Sequence, residues 1–361
     1  MLDASVESRL EAVREEALAV REKVGLMDLS TFSKFEVKGR DAYAFLERIC
    51  ANKIPSKDGG IILGHLLNEN GFIESEITVT RLGPEHFYVL SAAVAQLHDR
   101  DQLEWRKVPG EAVEVTDITD EFGVLVLAGP LAREVLQLCT TSDLSNAGFR
   151  WLTGKAAMVA GVNIRLLRVN YVGELGWELY IPTEFVAHVF ERLCEAGAEF
   201  GLTPAGMHTM NNCRTEKAYR HWGHDMSDEE TPLEAGLGFA IAWDKKGGFI
   251  GRDALLKQKA LTVLPKRMVC IALEDSSVSA PMMYHEEPIY RNGVIVGSTT
   301  SGAWGHRVNL SLGMGYVSND GGVTKDWIES GKWEVELAWK RYGTKVQLQS
   351  FYDPKGERIK A

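Results

Sequence analysis

The chain has 361 residues, more than one ordinary domain holds, so two or three domains are expected. Its 50 Asp and Glu residues outnumber 40 Lys and Arg residues, giving a net charge of −10. This balance argues against a protein that binds nucleic acid or an anionic membrane, because both need a basic surface. Hydrophobic residues make up 45%, which is enough for substantial cores.

The five cysteines are scattered and never spaced as CxxC, so we expect no metal centre. The nearest candidate is Cys213 with His208, His221 and His224, and a structural interpretation is favoured because no second thiol joins them. The charged stretch 1–25 lacks an apolar run, which predicts neither a signal peptide nor a membrane anchor. The expected compartment is reducing, cytoplasmic or organellar, and we take the cytoplasm as the prediction.

The first predicted elements are helix and strand–helix units. Residues 5–24 have the pattern of an amphipathic helix. Residues 35–46 and 125–136 resemble one another: each is a short strand, a Gly turn and an amphipathic helix, and Pro130 suits a first helical position. The sequence therefore predicts two related α/β units.

Later segments predict more strands. Residues 73–82 and 86–91 indicate a hairpin across Gly-Pro, and 161–182 alternate like paired strands around a Gly-rich turn. Residues 184–200 predict a helix with one apolar face. From about 271 to 361 the pattern changes to short strands and Gly turns, which predicts an all-β domain. The predicted class is α+β, followed by β.

A polar strand face is the first candidate site. In 68–80, NENGFIESEITVT, the side chains of Glu74, Glu76, Thr78 and Thr80 share one face because strand side chains alternate. By itself this pattern is more typical of a solvated face. The functional alternative is a carboxylate that accepts a proton in a pocket or stabilises a cationic intermediate.

The second candidate is 170–180, NYVGELGWELY. Gly173 and Gly176 permit a tight turn, after which Glu178 and Tyr180 lie on one face of the outgoing strand. A carboxylate can accept two parallel N–H bonds, as the aminopyrimidine edge of a pterin offers, and a tyrosine can stack on a flat ring. The alternative is a hairpin with a buried structural acid.

Together these motifs resemble the glycine cleavage T-protein (aminomethyltransferase) family, and more closely the folate half of dimethylglycine and sarcosine dehydrogenases and of dimethylglycine oxidase. YVGELGWE resembles the family's Tyr-x-Gly-Glu-x-Gly-x-Glu element, and NENGFIESEITVTRL its segment that ends in an aspartate before an apolar strand. The resemblance runs from about Gly25 to the end of the chain. Further matching segments are RTEKAYRHWGHDM (214–226), EAGLGFA (234–240), FIGRDAL (249–255) and LAGPLAR (127–133).

The resemblance implies a three-domain cloverleaf around a central folate cavity, with the β domain last. The implied division is a folate-binding region at 1–270, made of two interleaved α/β subdomains (approximately 1–50 with 130–230, and 51–129 with 231–270), and a C-terminal β-barrel at 271–361.

The resemblance also implies which residues bind the cofactor, tetrahydrofolate. The family's folate contacts fall on Tyr171 and Glu178. Arg214 matches the family's arginine before Leu-Glu, and the sequence leaves open whether it contacts folate or forms a structural ion pair with Glu234 or Asp225.

The implied catalytic position carries a departure from the family. Its aspartate falls on Glu76, and the hydroxyl residue two positions further on, a folate contact in the family, on Thr78. Glutamate reaches one C–C bond further, about 1.5 Å, so a shifted backbone, a different substrate or lost activity are the open explanations. Phe72 and Ala218 replace family glycines, and Leu63 replaces a tyrosine.

The implied function is a tetrahydrofolate-dependent one-carbon transferase or demethylase acting on a methylated amine such as dimethylglycine, sarcosine or glycine betaine. The alternatives are an S- or O-demethylase and a non-catalytic folate-binding protein. The Lys-Gly-Cys-Tyr-x-Gly-Gln-Glu signature of the relatives that serve iron–sulfur assembly is absent. No GxGxxG follows a strand, so a separate flavoprotein dehydrogenase is the expected partner for oxidative chemistry, and direct methyl transfer would need none.

Overall fold

In the computed structural model, which describes residues 6–277 and 280–361, the chain folds into two β-sheets and a closed β-barrel. The helices are α1 (Val6–Glu22), α2 (Ala42–Ile49), α3 (Gln96–Trp105), α4 (Ala132–Cys139), α5 (Val186–Gly197), α6 (Met207–Glu216), α7 (Arg252–Lys259) and α8 (Lys325–Glu329). The strands are β1 (Val24–Asp28), β2 (Ser33–Lys38), β3 (Ile61–Leu67), β4 (Ile73–Gly83), β5 (His86–Ser91), β6 (Glu114–Asp117), β7 (Phe122–Ala128), β8 (Gly154–Val159), β9 (Val162–Leu167), β10 (Gly176–Pro182), β11 (Leu202–Ala205), β12 (Lys266–Leu273), β13 (Pro288–Arg291), β14 (Val294–Gly305), β15 (Leu310–Ser318), β16 (Trp333–Leu337) and β17 (Lys340–Gln347).

The first sheet has six strands in the order β11-β1-β7-β10-β9-β8. Alternation along β10 turns Trp177 and Leu179 to its outer face, where they pack with residues of α4 and α5 such as Val135 and Val189. The second sheet has five strands, β3-β4-β5-β2-β6, and its outer face packs against α2 through Phe45. Each sheet therefore has one face that is covered by its own helices.

The two predicted strand–turn–helix units are confirmed as β2–α2 and β7–α4. Their turns contain Gly39 at φ 127° and Gly129 at φ 140°. A Cβ on Gly39 would lie 2.0 Å from the carbonyl oxygen of Ala112, and one on Gly129 would lie 2.4 Å from that of Lys23. Only glycine fits these turns, because both the conformation and the close backbone exclude a side chain.

The remaining faces of the two sheets pack against each other. One buried cluster contains Ile61, Tyr88 and Leu90 from the five-stranded sheet with Val126 and Tyr180 from the six-stranded sheet. The Tyr88 and Tyr180 rings meet edge to face, with centroids 5.2 Å apart. We call these the inner faces, and the polar motifs of the sequence lie on them.

The all-β C-terminal region is confirmed as a closed barrel in the order β12-β15-β14-β13-β16-β17. An irregularity in β14, between Thr299 and Ser301, interrupts its pairing with β15. Helix α6 packs against β14 and β15, so the barrel adjoins the sheets directly. The predicted α+β class, with a β domain last, is confirmed.

Both predicted hairpins are present as β4–β5 and β9–β10. The predicted 184–200 helix is α5, and the predicted 5–24 helix is α1, with residue 5 outside the described residues. Two strands, β2 and β7, belong to a different sheet from the one that the predicted subdomain ranges imply. Hydrogen-bond pairing between strands, and not their order along the chain, decides which sheet a strand joins. β2 pairs with β5 and β6, and β7 pairs with β1 and β10. The subdomain division otherwise stays a prediction.

None of the helices in the described part of the chain has the length and apolar character needed to cross a membrane.

Candidate active site

The polar face of β4 lies on the inner face of the five-stranded sheet. Ile73, Ile77 and Val79 are buried on the opposite face, so the predicted alternation is confirmed. In the register, Thr78 is opposite Leu90 and Thr80 is opposite Tyr88 on β5, and directly opposed residues share a face. Glu76 and Thr78 are therefore turned toward the six-stranded sheet.

Glu178 lies on the inner face of the six-stranded sheet, beside Tyr180. It is 8% exposed, and the Tyr180 hydroxyl donates a 2.7 Å hydrogen bond to Oε2. Among the described residues no Lys or Arg forms an ion pair with this carboxylate. Burial raises the pKa of Glu178 to about 7, and the Tyr180 hydrogen bond opposes that rise. A buried acid with this little compensation is suited to a ligand that donates hydrogen bonds.

Polar groups from both sheets meet between Glu178 and the five-stranded sheet. The Arg165 guanidinium lies over the Tyr88 ring, 4.7 Å from its centroid, and pairs with Glu36. Burial raises the pKa of Tyr88; Arg165 opposes this, while the Glu36 and Glu178 carboxylates add to it. Tyr88 Oη, Thr80 Oγ1 and Arg165 Nη1 are buried without a hydrogen-bond partner among the described residues. Unpaired buried polar atoms near a buried acid that has a single side-chain hydrogen-bond donor fit a polar ligand between the sheets.

Tyr171 precedes the hairpin turn and is held by the segment after α6. Its hydroxyl donates to the carbonyl oxygen of Arg220, and its ring stacks on Tyr219 with centroids 6.0 Å apart. Burial raises the pKa of Tyr171; Arg214 opposes this, and the nearby Glu76 carboxylate adds to it. The fold thus brings Tyr171 close to Glu76, although 95 residues separate them in sequence.

Arg214 is buried in an ion pair with Asp225, one of the two acids that the sequence left open. Its other nitrogens donate to Asn211, at 2.9 Å, and to Ser301 of the barrel, at 2.9 Å. Asp225 also accepts a 2.6 Å hydrogen bond from Thr300, in the irregular part of β14. These contacts tie α6 and the following loop to the barrel. They support the structural alternative for Arg214, and its contact with folate stays a prediction.

A buried network around Arg21 of α1 fixes the hairpin turn, and sequence reasoning missed it. The guanidinium pairs with Glu174 at 3.0 Å and with Glu216 at 2.8 Å, and it lies over the Tyr352 ring. The Tyr352 hydroxyl donates a 2.6 Å hydrogen bond to Glu174. Ion-pair partners up to 195 residues apart leave no local pattern, so no sequence signal identified Arg21.

Three departures from the family have local consequences. Ala218, at a glycine position, has φ 54°, which is a costly conformation for a residue with a Cβ. Phe72 follows a turn in which Gly71 alone takes the positive φ, 83°. Leu63 lies directly opposite Thr78, so an apolar side chain stands where the family has a phenol.

The Cys213 region contains a buried thiol and a stacked pair of imidazoles. Cys213 is buried on α6, and burial raises the pKa of its thiol to about 12. The His221 and His224 rings stack on each other with centroids 4.6 Å apart. Within residues 6–277 and 280–361, no group of three or more His, Cys, Asp and Glu side chains is arranged to hold a metal ion.

A second missed residue is His65 on β3, directly opposite Glu76. Its Nε2 is 3.7 Å from Glu76 Oε1. The sequence signal is a single imidazole in the otherwise apolar strand IILGHLL. The sequence alone does not connect this imidazole with Glu76, because the connection depends on the β3–β4 register.

Two α/β sheets with a buried acid between them and a closed barrel alongside define an α+β protein with a C-terminal β domain. Residues 5–245 match the family described as GCVT N-terminal domain, and residues 266–353 match the one described as glycine cleavage T-protein C-terminal barrel domain. The chain belongs to the glycine cleavage T-protein family, as the resemblance predicted.

Curated relatives are consistent with this. The chain is 38% identical over 348 residues to 4-methylaminobutanoate oxidase (formaldehyde-forming) of Paenarthrobacter nicotinovorans, covering 96% of this chain and 41% of that protein. It is 38% identical over 331 residues to mitochondrial dimethylglycine dehydrogenase of Rattus norvegicus, covering 91% and 38%. It thus spans about two fifths of these relatives.

A relative of similar length is the aminomethyltransferase of Thermoanaerobacter sp. (strain X514), which is 32% identical over 312 residues, covering 86% of this chain and 83% of that protein. Among solved structures, the glycine cleavage system aminomethyltransferase T from Bartonella henselae matches with a TM-score of 0.82 and 24% identity, covering 95% of this chain and 90% of that one. At that identity the match supports the fold alone.

Proposed function

We propose that the chain is a tetrahydrofolate-dependent one-carbon transferase that takes a methylene or methyl unit from a methylated amine. The observation that carries this proposal is the buried Glu178 carboxylate, with a pKa near 7 and Tyr180 as its hydrogen-bond donor. A reduced pterin presents an amino group and a ring N–H side by side, and a carboxylate can accept both. The ring of Tyr171 would contact the same ligand.

Tetrahydrofolate would supply the nucleophilic nitrogen that takes up the carbon. Glu76, on the opposing inner face, would accept the proton that this nitrogen gives up as the new C–N bond forms and the electrons of the donor's C–N bond pass to its amine nitrogen. Within the described part of the chain, no Lys or Arg forms an ion pair with Glu76. Its negative charge therefore remains available to stabilise a cationic donor such as an iminium or ammonium group. Thr78 adds a hydroxyl on the same strand face.

Two observations support a methylated amine as the donor: the negative charge of Glu76 and the names of the curated relatives. Curated relatives are named for dimethylglycine and 4-methylaminobutanoate, both methylated amines. They are oxidases and dehydrogenases more than twice the length of this chain. Removal of hydride from an N-methyl group needs a redox cofactor. We therefore propose a flavoprotein dehydrogenase as the partner that generates the methylene donor.

The test is to identify the folate product. The protein is incubated with tetrahydrofolate and, separately, with dimethylglycine, sarcosine, glycine betaine, aromatic methyl ethers, or sarcosine plus formaldehyde, which form an iminium without an oxidant. Mass spectrometry then distinguishes 5,10-methylene- from 5-methyltetrahydrofolate. Methylene product above the uncatalysed rate supports the iminium route, and methyl product from an amine supports direct transfer. Product from methyl ethers alone would replace the amine by an O-methyl donor, and no product with folate still bound would contradict a transferase.

A further inference from the structure

We propose that His65 is a positioning residue for Glu76: its imidazole holds the carboxylate of the longer glutamate side chain so that one oxygen faces the six-stranded sheet. The inference rests on the proposed function, because it assigns a partner to the acid of the same site. It concerns a residue on β3, outside the two segments, 68–80 and 170–180, that the sequence marks as candidate sites.

The placement of His65 is fixed by the sheet. β3 and β4 are antiparallel, and the register puts His65 directly opposite Glu76, so the two side chains share the inner face. Nε2 is 3.7 Å from Oε1. The His65 side chain is fully buried, whereas that of Glu76 is 20% exposed. The imidazole therefore lies behind the carboxylate, on its protein side.

The imidazole of His65 makes no hydrogen bond in the described part of the fold. Neither Nδ1 nor Nε2 has a hydrogen-bond partner within residues 6–277 and 280–361. The backbone of His65 does pair, accepting a 2.9 Å hydrogen bond from Ala51, but a leucine would keep that bond equally well. A buried polar ring without a partner is unfavourable in an apolar strand. Among the described residues, Glu76 is the one acidic side chain within 4.0 Å of its ring nitrogens.

The interaction would form when the site fills. A separation of 3.7 Å is too long for a hydrogen bond, but such contacts in ligand-free sites shorten when substrate binds. A neutral imidazole can donate Nε2–H to Oε1, which leaves Oε2 free toward the gap. Oε2 would then be the oxygen that accepts a proton from the bound cofactor, and no proton is transferred to His65. No further proton acceptor is required.

The pairing explains how a glutamate can serve at position 76. An aspartate there would be one C–C bond shorter, so its carboxylate would lie about 1.5 Å further from Nε2. His65 and Glu76 should therefore behave as a coupled pair, and His65 should matter little once position 76 is shortened. This coupling separates a positioning role from a general packing role.

The experiment is a double-mutant cycle. Wild type, His65→Leu, His65→Gln, Glu76→Asp and His65→Leu/Glu76→Asp are compared for kcat and KM with tetrahydrofolate and the sarcosine–formaldehyde iminium, for folinic acid affinity, and for melting temperature. The matched control is His98→Leu. His98 Nε2 also lies 3.7 Å from a carboxylate of β4, that of Glu74.

In the wild-type background, we expect His65→Leu to lower kcat by about 10- to 100-fold, the scale of an ångström-size misplacement, with folinic acid affinity unchanged within about twofold. His65→Gln, which keeps a donor, should recover most of the loss. In the Glu76→Asp background, His65→Leu should change kcat by less than about threefold, and His98→Leu should do the same in wild type. An equal loss of kcat in both backgrounds, or no loss in wild type, overturns the proposal.

A second readout does not depend on turnover. With ¹⁵N-histidine labelling, folinic acid should move the His65 Nε2–H proton resonance downfield in wild type but not in Glu76→Gln. An unchanged resonance with folinic acid bound overturns the positioning role. Loss of the wild-type product, with this shift intact, would count against the proposed function and leave the pairing standing.

Discussion

The two inner faces that carry the proposed site differ in how closely they keep the family pattern. On the six-stranded sheet, Glu178 closes an unaltered YVGELGWE motif, is buried, and is fixed by Tyr180. On the five-stranded sheet, Glu76 replaces an aspartate, is partly exposed, and has an imidazole behind it. The face proposed to bind the pterin thus keeps the family's residues, whereas the face proposed for proton transfer carries a glutamate in place of the family's aspartate. We infer that the ligand is retained while the donor has room to differ.

The largest effect is expected for Glu76→Gln. The amide cannot accept a proton at neutral pH, so kcat should fall by about 10²- to 10⁴-fold, the usual contribution of a general base. Affinity for folinic acid, measured by calorimetry, should stay within about twofold of wild type. Glu74→Gln, two residues earlier on the same strand face, serves as the control and should leave kcat within about threefold. Equal losses in both variants would remove the special role of Glu76.

A second prediction concerns stability and pH. Folding raises the pKa of Glu178 from 4.5 to about 7. The folded state therefore holds this proton more tightly than the unfolded state. The resulting stabilisation is complete below pH 4.5 and is lost as the pH rises through 7. The shift of about 2.5 units corresponds to about 3 kcal/mol.

Urea unfolding without folate, between pH 4.5 and 8, can measure this loss as a difference from Glu178→Gln, which lacks the titrating group. Wild type should lose about 3 kcal/mol more than the variant over this range. If the free energy of unfolding changes equally with pH in the two proteins, Glu178 is in contact with solvent. That result would contradict its burial on the six-stranded sheet.

Third, Glu178→Ala should weaken folinic acid binding by about 1.5–3 kcal/mol, the scale of hydrogen bonds to a charged group. Because the ionised carboxylate is the acceptor, wild-type affinity should fall as the pH drops below about 7, the pKa of Glu178. Glu178→Gln should show a flatter dependence between pH 6 and 8. Calorimetric titrations at several pH values test both statements. Wild-type affinity retained in the alanine variant would place the pterin elsewhere.

The smallest effect is expected for Tyr171→Phe. Loss of the hydrogen bond to the Arg220 carbonyl should lower the free energy of unfolding by about 1 kcal/mol. Folinic acid affinity should remain within about twofold, because the ring is kept. Tyr171→Leu should weaken binding by a further 0.5–1.5 kcal/mol, roughly the value of an aromatic contact. If phenylalanine and leucine bind equally well, the ring does not contact the ligand.

Local patterns predicted much of the fold and the strand face on which each acid of the proposed site lies. Alternation placed Glu178 beside Tyr180 and Glu76 beside Thr78, and turn residues predicted both hairpins. The barrel followed from the change in composition after about residue 270, although its first strand begins at Lys266.

What the sequence could not supply depends on pairing between distant segments. His65 reaches Glu76 only through the β3–β4 register, and Arg165 reaches Tyr88 only through the packing of the two sheets. The choice of Asp225 over Glu234 for Arg214 depends on how the barrel meets α6. Strand membership of β2 and β7 likewise followed hydrogen bonding between strands and not their order along the chain.

The most direct measurement is a crystal structure of the protein with folinic acid. We predict electron density for the pterin between the two inner faces, its amino edge within hydrogen-bond distance of the Glu178 carboxylate and the opposite side of the ring facing Glu76. A gap left without ligand at saturating folinic acid, or a pterin bound away from Glu178, would contradict the account.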